Sequence, residues 1–247
     1  MRSTGLLVVT HLLVNALLLW LGYYWLGIGE SRTSTLAWSG FIALLTVCLA
    51  SSAYGAAFVY FQQEDRRTVV AWRIAMRNLL PFLVGVGAAT VVYFLLAQWD
   101  EYSSKPALQV ASYLTLTFRK PVRPSSVARV FGTILWVIQW VILPVFFLPM
   151  FAAVASSGWR GYRALGAFAR RWIYWIEAPI LLVCALWIPM KILGWVPGMS
   201  SFGMEMASFT ARALAAYLLF VTAWLVLAFV TSAGKPRFTQ SSTAPSP

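Results

Sequence analysis

The sequence predicts an all-α, polytopic membrane protein: a bundle of about six transmembrane helices with two basic amphipathic helices at the membrane surface. Sixty per cent of the 247 residues are hydrophobic and 11% are charged, whereas an ordinary soluble domain is about 45 to 50% apolar and about 25% charged. The 13 Trp, 10 Tyr and 16 Phe residues gather largely near the ends of apolar runs. This distribution is typical of the aromatic belts at the two surfaces of a membrane.

The transmembrane helices are predicted from the length of the apolar runs. A helix that crosses the membrane needs about 20 predominantly apolar residues, each adding about 1.5 Å. Six stretches meet this requirement, namely residues 5–27, 36–61, 80–98, 131–155, 172–193 and 213–233. A seventh apolar stretch, residues 107–118, is too short to cross and is expected to be either interfacial or re-entrant. The sequence therefore predicts one transmembrane domain over residues 1–233.

The last residues, 234–247, are rich in Ser, Thr and Pro and show no apolar periodicity. Such a segment cannot bury enough apolar surface to offset the entropy of ordering it, so we expect a disordered tail.

The charges predict how the chain is oriented. With six crossings both termini lie on one side of the membrane, and that side would carry 11 of the 19 Lys and Arg residues. The positive-inside rule then places both termini in the cytoplasm. We expect the membrane to be a bacterial inner membrane. Opposing evidence comes from Arg119, Lys120, Arg123 and Arg129, which this topology puts on the outer side.

Two segments between predicted spans, residues 65–79 and 159–172, each carry four arginines that can be read at helical spacing. The eight are Arg66, Arg67, Arg73, Arg77, Arg160, Arg163, Arg170 and Arg171. In the first segment Val69, Trp72 and Met76 form an apolar stripe beside the basic one, the pattern of a helix that lies in the membrane surface. We therefore expect these arginines to contact anionic lipid headgroups. Nucleic acid is not an expected partner, because the charges lie between apolar runs.

Four polar residues fall inside predicted spans, and such residues are the first suspects for function because burying them in lipid costs free energy. They are His11, Asn15, Gln139 and Glu177. His11 and Asn15 are four residues apart and share a helix face, where their plainer role would be hydrogen bonding between helices. His11 and Glu177 fall at similar depth, which suggests a polar pair. Arg170 is the alternative partner of Glu177.

Signatures of catalysis are not found. The chain has no phosphate-binding loop, nucleophile elbow, HExxH helix or CxxC pair, and one histidine cannot build a His-rich zinc site. Cys48 and Cys184 lie inside apolar runs, so we expect no disulfide. No catalytic residue, metal or cofactor is predicted, and an enzyme is disfavoured.

Two functions remain open. The first is a non-enzymatic membrane component that organises lipids or partner membrane proteins. The alternative is a transporter or permease-like subunit with a site between the first, fourth and fifth spans. It depends on Glu177 and on prolines that can kink the fourth and fifth spans, since broken helices line many transporter sites.

Overall fold

The computed structural model describes residues 2–29, 31–102, 104–166, 173–198 and 201–232. Within them the chain forms ten α-helices and no strand. The helices are α1 (Arg2–Leu26), α2 (Thr33–Gln62), α3 (Thr68–Arg77), α4 (Leu79–Tyr102), α5 (Ser104–Phe118), α6 (Pro124–Val137), α7 (Leu143–Ser157), α8 (Tyr174–Leu182), α9 (Ile188–Gly194) and α10 (Phe202–Ser232). The predicted disordered tail, 234–247, lies outside the described residues, as do Arg170 and Arg171.

Six helical stretches are long and apolar enough to cross a membrane, which confirms the predicted fold class. They are Thr4–Leu26, Thr33–Gln62, Leu79–Trp99, Pro124–Arg163, Tyr174–Gly194 and Phe202–Ser232. Two of them, the fourth and the sixth, begin well before the predicted residue. The fourth begins at Pro124, since proline suits the first helical turn, and the sixth begins at Phe202 because Met204, Glu205 and the residues after them favour a helix.

Hydrogen bonds define two ends of the bundle. The hydroxyls of Thr4 and Tyr60 lie 3.2 Å apart, and Ser232 donates to the carbonyl of Phe58 at 3.2 Å. The start of α1 and the ends of α2 and α10 are therefore at one end, which we call the basic end because α3 and its arginines adjoin it. At the opposite, far end the Trp25 indole donates to Ser39 at 2.9 Å.

The best-packed part of the bundle lies toward the basic end. The second half of α2 and most of α7 from Leu148 to Ala155 are buried on nearly every side. The second half of α2 is rich in Ala, Ser and Gly, and this part of α7 contains three Ala; such small side chains let helix backbones approach closely. At Gly55 a Cβ would lie 3.5 Å from the Cβ of Ala75 and 3.7 Å from that of Ala155. This position therefore brings three helices, α2, α3 and α7, into contact.

The first predicted basic segment contains the α-helix α3. Its small residues Thr68, Ala71 and Ala75 are buried and pack toward α2. Val69 and Met76, from the predicted apolar stripe, are exposed. The stripe is thus only partly covered by the protein, since its third residue, Trp72, is half-buried.

The second basic segment differs from the predicted α-helix. After α7, Gly158 has a φ of +59°, a conformation that glycine adopts without the strain a side chain would bring. The chain then forms a 3₁₀ helix, Gly158–Gly166, that packs back on α7. Gly161 makes this packing possible, because a Cβ there would lie 2.5 Å from backbone atoms of Ala153 and Val154.

Two spans contain short π-helical segments, Ile138–Ile142 and Val183–Trp187. In the first, the Leu143 N–H bonds the carbonyl of Ile138, five residues back, and Pro144 has no N–H to offer the next carbonyl, that of Gln139. The Tyr93 hydroxyl donates to that carbonyl instead, at 2.7 Å. The kink predicted from proline is thus a π-helical turn with a side-chain donor.

The short apolar stretch, residues 107–118, lies in α5, which packs on α6. Their shared core consists of Ala107, Ala111 and Val127. The stretch that the sequence left as interfacial or re-entrant is therefore one arm of a helical hairpin.

Candidate functional site

The basic end carries all six of the predicted lipid-contacting arginines that the structure describes: Arg66, Arg67, Arg73, Arg77, Arg160 and Arg163. Each is exposed, and none forms an ion pair with another described residue. Their charges are therefore available to an external anion.

Arginines from the two basic segments meet in one concave notch of about 380 Å³. Arg77, at the end of α3, contributes one side, and Arg160, in the 3₁₀ helix, contributes the other. The notch is lined by Arg77, Asn78, Leu80, Pro81, Ser157, Gly158, Trp159 and Arg160. No acidic residue is among them, so the notch favours an anion.

Two hydrogen bonds fix the relative position of the two sides of the notch. The Asn78 amide donates to the carbonyl of Ala155 at 2.9 Å, which satisfies one of the carbonyls left free at the end of α7. The Tyr162 hydroxyl donates to the carbonyl of Pro81 at 2.6 Å. Because these two bonds tie the α3–α4 junction to the chain after α7, Arg77 and Arg160 project from one rigid unit.

The edge of the notch is apolar. Leu80 is 67% exposed and Trp159 is 57% exposed. A guanidinium group binds phosphate through two parallel N–H donors and is less strongly hydrated than an ammonium. Two such groups beside exposed apolar side chains fit a ligand that carries a phosphate next to hydrocarbon.

A second surface feature lies on the other side of α3. A groove of about 460 Å³ runs between α1 and α3 and is lined by Leu6, Thr10, Thr68, Val69, Trp72 and Arg73. It places the apolar residues of α3 beside Arg73. Sequence periodicity predicted that these residues share a face, but not that α1 supplies the opposite wall.

Among the intramembrane polar candidates, Asn15 joins two spans. The Tyr54 hydroxyl of α2 donates to Asn15 Oδ1 at 2.6 Å, and the Asn15 amide donates to the His11 carbonyl at 2.8 Å. His11 is 1% exposed, and its ring stacks on Tyr54 with centroids 6.2 Å apart. Neither ring nitrogen has a hydrogen-bond partner within the part of the chain that the structure describes.

The predicted pairing of His11 with Glu177 is wrong. Glu177 is exposed and makes no hydrogen bond to the buried ring nitrogens of His11. Depth along a span can be counted from sequence, but the neighbours of each helix cannot. In the structure α10 packs against both α1 and α8, the helices that carry these two residues.

Gln139 lies in the π-helical segment of the fourth span, where it acts through its backbone carbonyl. A cleft lies between the fourth and fifth spans, lined by apolar and aromatic residues for the most part, but α1 does not line it. This cleft therefore lacks the contribution of the first span that was expected of a transporter site between the first, fourth and fifth spans. No family model matches the chain, and neither does any curated protein or solved structure.

Proposed function

We propose that this integral membrane protein is a non-enzymatic component that binds anionic phospholipid headgroups at its basic end, and so organises lipid around itself and around partner membrane proteins. The observation that carries the proposal is the convergence of Arg77 and Arg160, from two separate basic segments, in one notch free of acidic residues.

The surroundings of the notch support a lipid over a free anion. Leu80 and Trp159 are exposed beside the arginines, at the level where apolar side chains can enter the acyl region while guanidinium groups reach the phosphates. The groove between α1 and α3 adds a second place where an exposed apolar wall adjoins an arginine, Arg73. Both features would bind a molecule that is anionic at one end and apolar along its length.

Orientation is part of the proposal: the basic end faces the cytoplasm, where anionic lipids give the leaflet a negative surface potential. In a Cys48→Ala, Cys184→Ala background, single cysteines are introduced as Asp65→Cys at the basic end and Thr117→Cys in α5. Both positions are exposed. An impermeant thiol reagent applied to intact cells should label the second and not the first, and lysis should expose the first. The reverse pattern would mean that the basic end faces outward.

The notch itself is tested by Arg77→Gln with Arg160→Gln in the purified full-length protein. Each arginine near an anionic surface contributes about 1 kcal/mol, so each change should weaken binding of phosphatidylglycerol at the notch about five-fold and the pair more than ten-fold. Binding is measured by native mass spectrometry in detergent, with phosphatidylcholine as the neutral comparison. The preference for phosphatidylglycerol should also fall as salt rises.

Arg123→Gln with Arg129→Gln is the matched control, because both residues are exposed and lie in and before α6, away from the notch. This pair should leave lipid binding unchanged. If the two pairs of changes weakened the binding of phosphatidylglycerol equally, net charge alone would attract the lipid. If the Arg77, Arg160 variant kept the full preference for phosphatidylglycerol over phosphatidylcholine, the proposal that the notch binds this lipid would be wrong.

A further inference from the structure

The two π-helical segments lie on either side of one cleft near the far end. Trp140 and Val141 come from Ile138–Ile142 in the fourth span, and Val183, Leu186 and Trp187 come from Val183–Trp187 in the fifth. The cleft has a volume of about 750 Å³, within the range of sites for small ligands. A π-helical turn inserts an extra residue into a helix and is often found at functional sites.

The walls of the cleft are aromatic and aliphatic with one cation. Four tryptophans line it, Trp136, Trp140, Trp187 and Trp195, and Lys191 is the one charged residue among the lining residues. The Lys191 ammonium lies 5.4 Å from the ring centre of Trp187, close enough for a cation–π interaction. A positive charge is therefore held at the wall of an otherwise apolar space.

The end of the fifth span is anchored from α10. Arg212 donates to the carbonyl of Leu193 at 3.3 Å and also to that of Trp195. These carbonyls lie at the end of α9, where a helix lacks its own donors. Lys191 and Trp195 therefore stand on a fixed helix end, at the depth where tryptophans and a lysine typically meet lipid headgroups.

We propose that this cleft binds one anionic phospholipid of the surrounding bilayer, with an acyl chain between the two π-helical segments and the headgroup phosphate at Lys191. Charge complementarity favours an anionic headgroup, since the cleft offers one cation and no carboxylate. Access is from the side, because Trp140, Trp187 and Met190 are exposed. This site is separate from the notch at the basic end and does not depend on it.

The test uses the full-length protein in vesicles that contain a trace of phosphatidylglycerol or phosphatidylcholine with a photoactivatable diazirine in the acyl chain. After irradiation, labelled peptides are identified by mass spectrometry. The phosphatidylglycerol probe should label residues 136–141 and 182–195 several-fold more than the phosphatidylcholine probe does. Lys191→Gln should reduce the excess about five-fold, the loss of about 1 kcal/mol that one cation near an anionic lipid represents.

Two further variants define the result. Lys105→Gln, another exposed lysine on the far-end hairpin, should leave labelling unchanged. Val141→Trp should fill the cleft and lower labelling by both probes. Equal labelling by the two probes, or labelling that Lys191→Gln and Val141→Trp both leave intact, would overturn the proposal and mean that lipid touches only the outer surface of these spans. Arg77→Gln with Arg160→Gln should not alter labelling here, so this site and the notch can fail independently.

Discussion

Replacing Gly161 by alanine is expected to destabilise the protein by about 3 kcal/mol, the upper end of what overpacking a close-packed interior usually costs. The added Cβ would lie 2.5 Å from Ala153 C and Val154 N and 2.6 Å from the Ala153 oxygen. These are backbone atoms of a buried helix, so they cannot move aside as the end of a flexible side chain would. The 3₁₀ helix after α7 would have to lift away.

The measurement is the midpoint of thermal unfolding of the purified protein in mild detergent. A loss of about 3 kcal/mol corresponds to a midpoint lower by roughly 6 to 12 °C for a chain of this size. The matched control is Gly87→Ala, inside α4, where nothing beyond the adjoining backbone of the helix lies within 4 Å of the added Cβ. It should leave the midpoint unchanged or raise it, since alanine favours a helix more than glycine does.

The same variant bears on function. Arg160 lies in the 3₁₀ helix that packs on α7 at Gly161. If this helix moved away from α7, Arg160 would be separated from Arg77. Gly161→Ala should therefore weaken the binding of phosphatidylglycerol as well as stability. If it matched Gly87→Ala in both measurements, the 3₁₀ helix would not pack on α7 as described.

The sequence predicted the spans well because hydropathy and length together determine whether a helix can cross a bilayer. The structure gives six such helices, as expected. The shorter helical elements were harder to predict from the sequence, because their conformation depends on contacts between residues that are distant along the chain. The segment after α7 has helical arginine spacing, but Gly158 and Gly161 turn it into a 3₁₀ helix packed on its neighbour.

The candidate sites likewise have a part that the local sequence predicts and a part that depends on contacts between distant residues. The arginines of the basic end could be named from sequence, since their clustering is visible along the chain. Their convergence in one notch could not, because it depends on Asn78 reaching the end of α7, 77 residues away. The prolines of the fourth and fifth spans predicted a site between these spans, but its tryptophans and Lys191 were not singled out, because which side chains line a cleft depends on how the two helices pack.

Removing the Tyr174 hydroxyl is expected to lower the free energy of unfolding by more than the loss of one oxygen atom suggests. Pro149 lies inside α7 and has no N–H for the carbonyl of Val145, four residues earlier. The hydroxyl of Tyr174, a buried residue, donates to that carbonyl at 2.8 Å. Tyr174→Phe would leave the carbonyl unpaired in the interior, which costs about 1 to 3 kcal/mol.

The comparison with Tyr162→Phe separates this effect from the loss of any tyrosine hydroxyl. Tyr162 also donates to a carbonyl, that of Pro81, but the residue four positions later is Gly85, which has its own N–H. The Pro81 carbonyl therefore keeps a donor within α4 when the hydroxyl is removed. Thermal unfolding should show a smaller loss for Tyr162→Phe than for Tyr174→Phe.

A double-mutant cycle with Pro149→Ala tests the explanation directly. Alanine restores an N–H at position 149 that can bond the Val145 carbonyl, so Tyr174→Phe should cost about 1 kcal/mol less in the Pro149→Ala background than in the native one. Residues that do not interact give additive losses within about 0.3 to 0.5 kcal/mol. Additivity here would mean that the hydroxyl and the proline are not coupled, and that the Val145 carbonyl does not depend on Tyr174 for a donor.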